Sequence, residues 1–214
     1  MHRVHAALDD YNAAPLAQRS TIEEQLWKQF GADRSAMILD MSGFSRIVRD
    51  MGLIYYLAMV RRMQRATAPL VAAHGGTVVK YEADNLFAAF PEPRAALDCS
   101  VAIVRAFWDE RLDPQDEGRR VRVSIGIDHG RMLHVPGEDY FGDCVNVAAK
   151  LGEDLAAAGQ ILLSERAAAM LQPQVRRGLM PVTFEVSGIV ISALSLDLSD
   201  GPRGSELPDA TVLF

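Results

Sequence analysis

The chain has 214 residues, 49% of them hydrophobic, and 22 Lys and Arg against 28 Asp and Glu give it a formal net charge of -6. That length buries the core of one domain with flanking segments, and a net acidic chain with no basic run longer than a pair excludes nucleic acid or an anionic membrane surface as the main partner. Cys99 and Cys144 have no metal or redox spacing, the N-terminus carries no apolar leader, and no run approaches ~18 apolar residues, so the reading is a cytoplasmic protein with no membrane partner.

Residues 1 to 19 are Ala- and Asp-rich around Pro15 and read as a loose or weakly helical arm. Ser20 to Glu24 resembles a capping box, with Ile22, Leu26 and Phe30 on one face and Gly31 closing the helix. Ser35 to Leu39 is an apolar strand ending at Asp40, followed by the turn Met41-Ser42-Gly43-Phe44 and a helical pattern broken near Met51-Gly52. Pro69 is expected to kink or restart that helix before His74-Gly75-Gly76 ends it.

Thr77 to Lys80 and Leu86 to Phe90 read as a hairpin with Glu82 and Asp84 at its tip. A helix carrying Leu97, Val101, Val104 and Trp108 follows, then a polar linker to Arg120. Val121 to Ile127 alternates as a half-buried strand, with Gly130 to His134 expected to pair back before the loop at Pro136 to Asp139. A helix from Asp143, a strand at Ile161 to Leu163, a short helix from Glu165 to Leu171 and strands at Val182 to Val186 and Ile189 to Leu196 complete the order. This predicts an α+β fold of ferredoxin-like, palm type, a mainly antiparallel sheet with helices on one face. The expected division is an arm and short helix over 1–34, a catalytic domain over 35–197 and a flexible tail over 198–214.

Asp40 closes a strand and precedes a Gly-containing turn into a helix, which sets a carboxylate beside free backbone N–H groups at a positive helix end. A metal and phosphates suit such a place; turn capping is the plain alternative. Asp84 supplies a second carboxylate on a neighbouring strand tip, ~5 Å away in strand spacing. Taken alone, Glu82 and Asp84 would simply solvate a turn.

Three linked blocks resemble the class III adenylate/guanylate cyclases over roughly residues 33 to 197. They are Leu39-Asp40-Met41-Ser42-Gly43-Phe44-Ser45, Gly75 to Asp84, and Asp139-Tyr140-Phe141-Gly142-Asp143-Cys144-Val145-Asn146-Val147-Ala148-Ala149-Lys150. The resemblance implies a head-to-tail homodimer with composite active sites. Asp40 and Asp84 of one chain would hold two Mg²⁺ or Mn²⁺ ions, and Ser42, Gly43 and Phe44 would meet the phosphates. Lys80, Asp139, Asn146 and Lys150 of the other chain would face base, ribose and reacting phosphate. Lys80 can donate to a ring nitrogen and Asp139 can accept from an exocyclic amine, which suits adenine and mismatches guanine, so ATP is the preferred substrate.

Two departures stand out. Lys150 occupies a place where the family usually carries arginine, giving a point charge without a planar fork. Val186-Ser187-Gly188 lacks the family's triphosphate lysine, and Arg166, Arg176 and Arg177 are substitutes by charge alone. Glu82 either tunes the metal charge or points to water, while His129 and His134 have no paired ligand at zinc spacing. A pyrimidine nucleotide cyclase of an antiphage system, and a cyclase-like module without catalysis, are the alternative readings.

Overall fold

A computed structural model describes residues 2–109, 122–186 and 188–201; the linker residues 113–120 and most of the expected tail lie outside the described residues. Two helices come first, α1 (His2–Ala13) and α2 (Leu16–Phe30), then strand β1 (Gly31–Met41). The stretch read as a loose or weakly helical arm is helical through α1, and it adds Val4 to a buried cluster. The reason is local: Val4, Leu26 and Phe30 close an apolar cluster with Val135, which gives the arm something to bury. Pro15, not Ser20, precedes α2, and Gly31 ends it in an extended conformation that leads directly into β1.

Helices α3 (Phe44–Met51) and α4 (Leu53–Ala73) are separated at Gly52, whose φ of 85° is the left-handed conformation that only glycine takes freely. Pro69 lies inside α4 without interrupting it. Strands β2 (Thr77–Glu82) and β3 (Asn85–Phe90) form the expected hairpin, and α5 (Pro93–Asp109) follows. Strand β4 then runs unbroken from Val123 to Val135, so Gly130 to His134 does not fold back. An equally long β1 lies alongside, Gly31 opposite Leu133 and Met41 opposite Val123, and supplies hydrogen bonds for the whole length of β4. The strand that does return is β5 (Asp139–Phe141).

The remaining elements are α6 (Asp143–Ala149), a π-helical segment Lys150–Leu155, β6 (Gln160–Ser164), α7 (Glu165–Ala169), α8 (Pro173–Arg176), β7 (Met180–Val186) and β8 (Ile189–Asp197). The sheet order is β2-β3-β1-β4-β6-β8-β7, antiparallel except for the parallel pair β4–β6. Alternation along β1 divides the interior. Met37, Leu39 and Met41 join α4 and α5 in the main core, whereas Ala36 and Ile38 face Cys144 and Ala148 of α6. The expected layer of helices is therefore α4 and α5, and the shorter α6 covers part of the opposite face. No helix among the described residues is long and apolar enough to cross a membrane.

Seating α6 requires two glycines. A Cβ on Gly126 of β4 would lie 2.1 Å from the Ala148 carbonyl oxygen and 2.4 Å from the Gly152 nitrogen, and one on Gly152 would lie 2.6 Å from the Ile38 oxygen. Backbone meets backbone there, with no flexible side chain to yield. Gly126→Ala is expected to destabilise the domain by about 1–3 kcal/mol, read as a lower urea midpoint; an unchanged midpoint would refute this close approach.

Candidate active site

The pairing of β1 with β3 sets Leu39 against Leu86, which brings Asp40 level with Asn85 and leaves Asp84 just beyond, at the two-residue tip of the hairpin. Ala83 in that tip holds φ at 50°, an uncommon conformation for a residue with a Cβ. A third carboxylate, Glu153 of the π-helical segment, arrives from the other face. Burial first, then the charges of Asp84 and Glu153, push the Asp40 carboxyl up to about 7, opposed by a hydrogen bond from the Met41 N–H. Tyr56, buried in α4, hydrogen-bonds Asp84, and its phenol is pushed up to about 12 by burial and that acid. Crowded carboxylates of this kind are what a hard divalent cation relieves.

Lys80 and Asp139 meet. The lysine Nζ lies 3.1 Å from Asp139 Oδ2, 3.2 Å from Glu82 Oε2 and 4.9 Å from the centre of the Phe87 ring. A register shift between Val78 and Lys80 sets Lys80 opposite Phe87 and turns its side chain toward β5. Asp139 has a nearly covered side chain, 8% exposed, and its other oxygen accepts from the Tyr140 N–H at 2.8 Å. Glu82 extends into water from this group at 67% exposure.

On α6, Cys144 and Ala148 pack inward while Asn146 projects outward one turn before Lys150. Lys150 Nζ is 2.7 Å from Asp154 Oδ2. Asn85 Nδ2 donates to Glu153 Oε1 at 2.9 Å, so the π-helical segment is tied to the hairpin that carries Asp84.

Residues 33–189 match the adenylate and guanylate cyclase catalytic domain family. The chain belongs to that family. It is 27% identical over 208 residues to an uncharacterized protein of Mycobacterium tuberculosis, a match covering 95% of this chain and 52% of that relative. It is 30% identical over 112 residues to an adenylate cyclase of Streptomyces coelicolor, covering 52% of this chain and 27% of that one. Its fold superposes on an adenylate/guanylate cyclase/hydrolase from Silicibacter pomeroyi with a TM-score of 0.63 and 29% identity, covering 78% of this chain and 97% of that structure. The chain thus spans from about a quarter to about half the length of these curated relatives.

Within this cyclase domain, the structure brings Asp40 and Asp84 together and Lys80 and Asp139 together, and it leaves Asn146 and Lys150 on an outward helix face. The Ser42 N–H donates to the Arg122 carbonyl at 2.8 Å, so the turn amide at that position is already used. Gly43, with φ at 91°, precedes α3 without a side-chain cap, and the Phe44 side chain lies outside the described residues. Arg166 is ion-paired to Asp128 and Asp143. His129 Nδ1 and the Ser35 hydroxyl share a hydrogen bond at 3.0 Å. Sequence reasoning missed Glu153 and Tyr56, which reach the acidic group from the π-helical segment and from α4, and it gave no role to Asn85, whose tie to Glu153 forms only across the fold.

Between about pH 4 and about pH 7 the folded cyclase domain holds a proton on Asp40 that the unfolded chain has released, so stability falls as pH rises through that window. Solvent around this half-buried group screens the effect, so the penalty is taken as ~1 kcal/mol. Asp40→Asn is expected to remove the slope and raise the metal-free Tm at about pH 8 by about 2–4 °C. A Tm that stays level or falls in calorimetry would contradict like-charge crowding at this acid.

Proposed function

We propose that the domain is a nucleotide cyclase that converts ATP to 3′,5′-cyclic AMP and pyrophosphate, acting as a head-to-tail homodimer over residues 35–197 with two Mg²⁺ or Mn²⁺ ions. The observation that carries the reading is the Lys80–Asp139 pair, 3.1 Å apart, which in a head-to-tail dimer would face the Asp40 and Asp84 carboxylates of the other chain. One donor beside one acceptor matches the adenine ring nitrogen and 6-amino group, and guanine presents the reverse pattern.

Asp40 and Asp84 would hold the ions. Among the described residues no group of three or more His, Cys, Asp or Glu side chains is arranged to hold a metal ion. Two carboxylates fit an ion whose shell is completed by substrate phosphates and water, the usual habit of Mg²⁺. When bound, such ions favour the 3′-alkoxide and offset triphosphate charge. The chain's own residues do the rest. The turn at Gly43 and the uncapped start of α3 receive phosphate oxygens. Asn146 orients the ribose, and Lys150, released from Asp154, meets the reacting phosphate.

Composite sites need a second copy, and the exposed apolar side chains Met51 at the end of α3 and Leu53, Ile54 and Leu57 at the start of α4 support a self-associating surface. Free, buried Cys99 and Cys144 support a reducing, cytoplasmic setting where nucleoside triphosphates and Mg²⁺ abound. The Lys80–Asp139 pair also fits the N3 and N4 positions of cytosine, so a pyrimidine cyclase is the second reading.

Purified protein given each of the four nucleoside triphosphates with Mn²⁺ is expected to yield cyclic AMP by mass spectrometry. A cyclic pyrimidine would replace the base assignment, and no product from a folded dimer would leave a binding module. Asp40→Ala is expected to cut product at least roughly a thousandfold while the circular dichroism spectrum stays native. Lys150→Arg is expected to raise kcat about threefold to tenfold by restoring a forked donor.

A further inference from the structure

Asp128 in β4 is fully buried, with 0% relative exposure. Its Oδ1 accepts from the Ser164 hydroxyl, from the His129 N–H at 2.7 Å and from Arg166 Nε at 2.7 Å; its Oδ2 accepts from Nε at 2.9 Å and from Nη2. The same Nη2 donates to Asp143 Oδ2 at 2.8 Å. Asp143 is the first residue of α6. Ser164 also caps α7 by accepting from the Ala167 N–H, which fixes the short helix that carries Arg166.

Helix α6 needs an external hold. It has seven residues, Gly142 before it makes no side-chain cap, and it passes directly into a π-helical segment. Helices this short are not stable by themselves; Cys144 packs the first turn of α6 onto the sheet, and Asp143 at its very start is exposed and tied through Arg166. Arg166 bridges that first turn to an acid locked inside the sheet. The guanidinium grips Asp128 through both Nε and Nη2 and still offers Nη2 to Asp143, so the planar fork fixes the direction of the bridge.

We propose that Arg166 is a positioning residue that pins the start of α6 to the sheet through Asp128 and so sets the aim of Asn146 and Lys150. The effect on turnover rests on the cyclase reading above; the pinning itself does not. The arginine that looked available for the triphosphate is committed to this structural link.

Asp143 is exposed, with a side-chain accessibility of 75%, so Asp143→Asn breaks the α6 half of the bridge and leaves the buried half intact. In the full chain this variant is expected to speed amide hydrogen exchange of residues 144–149 about fivefold. With ATP and Mn²⁺ it is expected to lower kcat about threefold to tenfold and to leave KM within about twofold. Because an acid in a first helical turn also favours the helix dipole, the change is repeated in an Asp128→Asn/Arg166→Gln background, which avoids stranding a buried charge. There Asp143→Asn is expected to speed exchange by less than about twofold, the part due to the helix dipole. Unchanged exchange in Asp143→Asn, or an equal effect in both backgrounds, overturns the proposal. Absence of cyclisation by the wild-type protein would defeat the cyclase reading instead, and the exchange arms would still decide the pinning.

Discussion

Everything that positions the site depends on β1 being buried on both faces. Residues Ser35 to Leu39 are inaccessible to solvent, with Met37 and Leu39 against α4 and α5 and Ala36 and Ile38 against α6. A slip of one residue would exchange these two sets and drive large side chains into the narrow space where α6 touches the sheet backbone. The register with β3 and β4 is held by that penalty, and with it the place where Asp40 leaves the sheet.

From there the electrostatics follow. Apolar packing drives β1 to its end, and the first polar side chain after the buried run is an acid that must stand beside the hairpin acid Asp84 and near Glu153. The fold spends stability to crowd negative charge at one point, as functional sites do when a cation or a transition state is to be accommodated. The same economy of space governs α6. Gly126 and Gly152 let it lie directly on β1 and β4, so small backbone shifts there are transmitted to the outward residues Asn146 and Lys150.

The base-facing pair illustrates a different route from sequence to geometry. Lys80 and Asp139 are 59 residues apart, on strands that are not neighbours in the sheet order. Strand β5 curls back from the end of β4, and the irregularity before Lys80 rotates the lysine toward it. Glu82, two residues further along β2, shares the lysine and leaves it restrained before any ligand arrives.

The order of most elements, the Gly52 break, the hairpin with Asp84 at its tip and the three blocks that mark the family can all be read from consecutive residues. These are local signals: apolar periodicity, turn chemistry and short motifs are written in consecutive residues. They did not determine that α1 forms, that Gly130 to His134 continues β4, or that Arg166 is bound between two acids. Those outcomes depend on partners remote in the chain, namely Val135 under the N-terminal helices, a long β1 beside β4, and a buried Asp128 behind α6. They were settled on folding, because burial and ion pairing are properties of the assembled neighbourhood and leave no fixed spacing along the chain.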